Sequence, residues 1–81
     1  MKIGELRKAL AELRVLRRAV SIEGVDAREE QYRLEKDGKC WIAYYYERGN
    51  KNALREFLSE DEACGYFLEM VGNDPTARSK C

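Results

Sequence analysis

The chain has 81 residues, 44% of them apolar and 37% charged, and its 15 basic and 15 acidic side chains cancel. That is one small domain with enough apolar material to fold rather than a disordered chain, and its zero net charge creates no bulk attraction to nucleic acid or a membrane surface. Histidine is absent and the three cysteines, Cys40, Cys64 and Cys81, form no CxxC pair, which excludes a tetrahedral zinc site of four Cys/His ligands.

Ile3, Leu6, Leu10, Leu13, Leu16 and Val20 recur at spacings of three or four, which predicts a helix of about five turns with one apolar stripe. Its start, Met1 to Leu6, is amphipathic rather than continuously apolar, so it does not read as a secretion signal. No apolar run approaches the roughly 20 residues that span a bilayer. An odd cysteine count without a signal fits a reducing compartment, and the expected location is the cytoplasm. Residues 1–20 carry six basic side chains against two acidic ones, whereas 56–74 carry six acidic ones. One end of the chain is basic and the other acidic.

Val20-Ser21-Ile22 opens a first strand that Gly24 punctuates, and the polar stretch Asp26 to Glu30 follows. Tyr32 to Glu35 alternates with period two, Asp37-Gly38 is a type I′ turn pair, and Cys40 to Tyr46 is largely β-branched or aromatic, which together predict a hairpin. With Asp37-Gly38 as the two-residue turn, Lys36 pairs with Lys39, Leu34 with Trp41 and Tyr32 with Ala43. Leu34, Tyr32, Trp41, Ala43 and Tyr45 then share one sheet face, and Arg33, Ile42, Tyr44 and Tyr46 share the other. Gly49 to Asn52 reads as a second turn and Ala53 to Phe57 as the returning strand.

Ser59-Glu60-Asp61-Glu62 is a capping box, with the Ser59 hydroxyl accepting from the Glu62 N–H and the Glu62 side chain reaching back to the Ser59 N–H. The three acids suit the positive end of the helix dipole. Ala63, Tyr66, Phe67, Met70 and Val71 mark the buried face of a helix that ends near Gly72, and Asp74-Pro75 stops it. The fold class is α+β: an N-terminal helix, a three- to four-stranded antiparallel sheet and a C-terminal helix. The domain is expected over 1–75, with a loose tail over 76–81.

Catalytic chemistry is not expected. Without histidine the usual general base and nucleophile activator are missing, no GxSxG or phosphate-binding glycine loop occurs, and Cys64 falls in an acidic helix that disfavours a thiolate. Cys64 reads as a small core residue and Cys40 as a half-exposed strand residue. No cofactor is expected. If both helices cover one sheet face, the face of Arg33, Ile42, Tyr44 and Tyr46 stays open, and its composition suits a protein interface. A nucleic-acid platform of stacked aromatics is the alternative, disfavoured by the acidic helix. A homodimeric regulatory or scaffold protein is a third reading.

The run Trp41-Ile-Ala-Tyr-Tyr-Tyr-Glu-Arg-Gly49, and then Phe57-Leu-Ser-Glu-Asp-Glu-Ala-Cys-Gly-Tyr-Phe-Leu68, resembles small bacterial immunity proteins encoded beside contact-dependent growth inhibition and other polymorphic toxins. The likeness covers roughly the C-terminal half. Its most specific parts are the Tyr-x-Glu-Arg-Gly turn and the Ser-Glu-Asp-Glu-Ala-Cys helix start. The resemblance implies binding to a cognate toxin domain, often a nuclease, so that its active site or substrate access is blocked. From the aromatic face and the acidic helix, the candidate contact residues are Tyr44, Tyr46, Glu47, Arg48, Glu60, Asp61 and Glu69.

Overall fold

A computed structural model describes residues 1–78. The elements run α1 (Ile3–Glu12), a short 3₁₀ turn (Arg17–Ala19), β1 (Val20–Ile22), β2 (Gln31–Asp37), β3 (Cys40–Glu47), β4 (Asn50–Phe57), α2 (Glu60–Gly72) and a second 3₁₀ turn (Pro75–Ala77). The fold is α+β, with both helices on one face of a four-stranded sheet in the order β1-β2-β3-β4.

The sheet is mixed rather than wholly antiparallel. β1 lies parallel to β2, pairing Val20 with Tyr32 and Ile22 with Leu34, while the β2–β3 and β3–β4 pairs are antiparallel. A parallel pair cannot be joined by a tight turn. The chain between β1 and β2 therefore crosses over the sheet through residues 23–30, with positive φ at Glu23, Gly24, Asp26 and Glu30.

α1 is shorter than the apolar stripe predicts. Leu13 caps it, Arg14 takes φ +60°, the Arg14 N–H donates to the Ala11 carbonyl and the Val15 N–H to the Leu10 carbonyl. This is a Schellman stop with arginine in the left-handed position usually given to glycine. Val15 then bridges Arg78, and the Leu16 N–H donates to the Ala77 carbonyl at 2.8 Å. Leu16 and Val20 leave the helical stripe because the chain turns to pair there. The predicted tail is placed as far as Arg78, with Ala77 buried; its last three residues, Cys81 among them, lie outside the described part.

The first hairpin is offset by two residues from the predicted pairing. Asp37 faces Cys40 across a Gly38-Lys39 turn, so Lys36 pairs with Trp41, Leu34 with Ala43 and Tyr32 with Tyr45. Gly38 has φ +62° and Lys39 does not share it, the pattern of a type II′ turn with glycine first. A slip of two preserves both faces because side chains alternate with period two. The second turn is Arg48-Gly49, at φ +50° and +79°, so Asn50 to Asn52 belong to β4 rather than to the turn. β4 carries a bulge: Ala43 pairs with Arg55 and Tyr45 with Asn52, leaving Ala53 and Leu54 opposite Tyr44, and Ala53 sits at φ +54°.

The core lies between helices and sheet. Leu6 and Leu10 from α1, Ala63, Cys64, Phe67 and Val71 from α2, and Ile22, Leu34, Trp41 and Ala43 from the sheet form one buried cluster. The Ser59 hydroxyl accepts from the Glu62 N–H at 3.0 Å, and the Glu62 carboxylate meets that hydroxyl at 3.3 Å rather than the Ser59 N–H. Gly72 is the last residue of α2, and Asn73, in the right-handed region, is the cap. Cys64 is fully buried and Cys40 half-buried. Among the described residues, no helix is long and apolar enough to cross a membrane.

Candidate functional site

The aromatic face of the sheet carries Gln31, Arg33 and Glu35 from β2, with Ile42, Tyr44 and Tyr46 from β3. No helix covers it, yet Ile42 is 8% and Tyr44 1% exposed. Both are buried outside the helix-facing core cluster. At Tyr44 the sheet's own charged side chains do the covering. The Tyr44 hydroxyl donates to Glu35 Oε1 at 2.8 Å, and the Lys51 ammonium lies 5.3 Å from the Tyr44 ring centroid. The Arg33 guanidinium stacks on the Tyr46 ring at 3.8 Å, a cation–π contact strengthened where water is excluded. Burial and the Glu35 hydrogen bond push the Tyr44 phenol above its ordinary pKa. Tyr44 therefore does not stand open to a partner, contrary to the expectation from alternation, and its ring offers no surface for stacking.

Gln31 organises this face. It is fully buried. Its carbonyl oxygen accepts from the Arg28 N–H and, at 3.1 Å, from Arg33 Nε, and its amide donates to the Arg18 carbonyl at 3.2 Å and the Asp26 carbonyl at 3.3 Å. Arg33 also donates to the Arg28 carbonyl at 2.9 Å. The crossover is thus tied to β2 by one glutamine and one arginine. Beneath it, the hydroxyl of the buried Ser21 has no hydrogen-bond partner among the described residues. The Arg48 N–H at the second turn donates to Glu29 Oε2 at 3.0 Å, holding the hairpin tip to the crossover. Tyr46 and Glu47 are half-buried there and Arg48 is exposed.

The acidic candidates lie on the other side of the sheet. Asp61, Gly65 and Glu69 fall at i, i+4 and i+8 of α2 and are all exposed, with the exposed Glu62 beside them. α2 contains four acids and no basic residue. Glu60 and Asp61 also serve the fold: Glu60 Oε2 accepts from the Ile3 N–H at 2.9 Å, and Asp61 pairs with the Met1 ammonium. Glu69 serves neither contact. The seven candidates therefore do not form one surface: Tyr44 and Tyr46 lie on the aromatic face, Glu47 alternates to the side of Tyr45 with Arg48 following in the turn, and Glu60, Asp61 and Glu69 lie on α2.

A cleft of about 240 Å³ opens beyond the C-terminal end of α2, walled by Arg18, Arg28, Glu30, Tyr32, Tyr45 and Asp74 among others. The Tyr32 hydroxyl donates to Asp74 Oδ2 at 2.8 Å, and its ring meets Tyr45 edge-on at 4.9 Å. Hydrogen bonds from Thr76 and Tyr32 hold the Asp74 carboxyl below its ordinary pKa, while burial and the Asp74 bond push the Tyr32 phenol up to about 12. Tyr45 is raised by burial, with Glu47, Glu30 and Asp74 adding to it. Arginines and carboxylates mix along the wall, so charge selects no ligand class. No group of three or more metal-ligating side chains occurs among the described residues.

The residues that sequence reasoning missed are Gln31, the Tyr32–Asp74 pair and Leu58. A lone glutamine between polar residues carries no signal of burial. Leu58 precedes the Ser59 cap, where an apolar residue usually packs on the fourth helical position. That position is the small, fully buried Ala63, and Leu58 stays 82% exposed. Compared with protein-family models, characterised proteins and solved structures, the chain finds no match.

Proposed function

We propose that this chain is an immunity protein of a contact-dependent growth inhibition or related polymorphic toxin system. It acts in the cytoplasm as a non-catalytic binder that neutralises a cognate toxin domain of the nuclease type by covering its active site or substrate access. The observation that carries the reading is the exposed acidic stripe of Asp61, Glu62 and Glu69 on a helix free of basic residues. A nuclease cleft is basic because it binds a polyanion, and a rigid row of carboxylates meets the same potential as a phosphate backbone. Complementary charge of this kind accelerates encounter and suppresses wrong partners. The motifs from Trp41 to Leu68 support the same reading.

Co-expression with the product of the adjacent gene tests it. The expected result is a one-to-one complex that co-purifies and restores growth of cells making the toxin. Growth arrest without a complex overturns the proposal.

A further inference from the structure

We propose that this chain also associates head to tail with a second copy of itself, Leu58 of one copy seating in an apolar groove between α1 and β1 of the next. The groove is a hollow of about 210 Å³ whose apolar wall is Leu10, Ala11, Val15, Val20 and Ile22, with Arg7 and Arg17 completing its lining. It continues into a second hollow of about 150 Å³ that Arg7 and Arg17 share with Val25 and Asp26. Since water occupies about 30 Å³ per molecule in the liquid, the first hollow is large enough for a branched aliphatic side chain.

The complementary shape is on the same molecule. Leu58 is the most exposed large apolar side chain described, at 82%, and the exposed acids Asp61 and Glu62 follow it within one helical turn, Asp61 already sharing its charge with the Met1 ammonium. An apolar knob flanked by carboxylates matches an apolar groove flanked by guanidinium groups. The one acid at the groove, Asp26, faces Arg17 at 3.4 Å, but the Arg17 side chain is 91% exposed. An ion pair that solvated is weak and exchanges readily for a partner's carboxylate.

One chain cannot fill its own groove. The groove lies at the β1 edge of the sheet and Leu58 follows β4 at the opposite edge, three strand spacings of about 4.8 Å away. The proposed contact is heterologous: each copy puts its knob into one neighbour and receives a knob from another, so copies extend, whereas reciprocal seating of both knobs would close a two-fold dimer. One side chain and a few charge pairs make a small interface, which is weak and concentration-dependent. Salt weakens it further, because its charges face solvent.

The test is sedimentation of the isolated full chain under reducing conditions over a range of concentrations. The expected result is an average mass that rises from the 9.4 kDa monomer with concentration and falls again with salt. Leu58→Asp removes the knob and Arg7→Glu with Arg17→Glu reverses the groove's charge; each weakens association about tenfold or more. All three sites are exposed, and circular dichroism with a Leu58→Ser variant guards against misfolding. Mixed one to one, the two defective proteins form a complex of two chains that grows no further, because one retains the knob and the other the groove. A wild type that stays monomeric at all concentrations, a Leu58→Asp protein that associates like wild type, or a mixture that stays monomeric overturns the proposal. None of these outcomes involves a toxin, so they leave the immunity reading to its own test.

Discussion

Gln31 and Tyr32 are adjacent in β2, point to opposite faces, and each holds an irregular segment to the sheet. Replacing Gln31 by leucine keeps the volume but takes from the Arg28 N–H, Arg33 Nε and two carbonyls the partner they have now. The expected cost is about 3 kcal/mol, since each buried group left unpaired costs about 1–3 kcal/mol. A lowered denaturation midpoint and new protease cuts within residues 23–30 would register it; an unchanged midpoint would show that the crossover is held by something else. Tyr32 acts through a different property, its proton. The folded Asp74 pKa is lowered, so its contribution is present above the ordinary carboxylate value of about 3.9 and is lost as pH falls through the lower folded value. The Tyr32 pKa is raised, so its contribution is present below about 10 and is lost as pH climbs toward 12. Tyr32→Phe removes the shared hydrogen bond. Its stability deficit should be constant near neutrality and shrink at both extremes, as urea midpoints across pH would reveal. A deficit independent of pH would assign the loss to packing alone.

At the scale of elements, what was legible in the chain is what local chemistry controls. The Ser59 cap, the extent of α2, the aromatic strand and both sheet faces follow from periodicity and capping, and the faces survive the wrong turn pair because the hairpin slips by an even number. The end of α1 was hidden. The stripe of Leu13, Leu16 and Val20 continues with helical spacing, but Arg14 takes a left-handed conformation and the next residues pair with Ala77 and Arg78. That pairing depends on residues more than 60 positions away, so no local window shows it. The same conflict between local preference and tertiary placement holds six of the described non-glycine residues at positive φ. Ala53 in the bulge and Arg48 in the second turn both hold φ above +50° or at it, where an L side chain costs about 1–2 kcal/mol. Ala53→Gly is expected to stabilise by about 0.5 kcal/mol after the added freedom of the unfolded chain is subtracted. Ala43→Gly, at ordinary strand φ with its methyl fully buried in the core, should destabilise by about 1–2 kcal/mol, from the glycine's freedom and the lost methyl burial together. Equal losses at both positions would mean that the bulge is not under strain.

The whole molecule separates what the sequence placed together. Alternation along β3 singled out Tyr44 and Tyr46 as a surface, but a surface is defined by what lies over it: Arg33, held by the crossover, lies over the Tyr46 ring, Lys51 over the Tyr44 ring, and Glu35 takes the Tyr44 hydroxyl. The acidic helix needed no such knowledge, because an i, i+4, i+8 row of Asp61, Gly65 and Glu69 is exposed whenever the opposite helix face is buried. If that row meets a basic cleft in the toxin, Glu69 is its cleanest probe. Glu60 and Asp61 also hold the start of α1, so reversing them would mix binding with folding, whereas Glu69 has neither contact. Glu69→Lys should lower toxin affinity about tenfold, with much of the change in the association rate and attenuated at high salt, since exposed charges act mainly by steering. Arg18→Ala, at the basic end of the chain, and Tyr46→Ala, beneath its arginine, should each change affinity less than threefold, on the order of what near-neutral positions outside a contact produce. Surface plasmon resonance on the purified pair at two salt concentrations separates the cases. A larger loss at Arg18 would place the contact on the basic end, and a larger loss at Tyr46 would place it on the aromatic face.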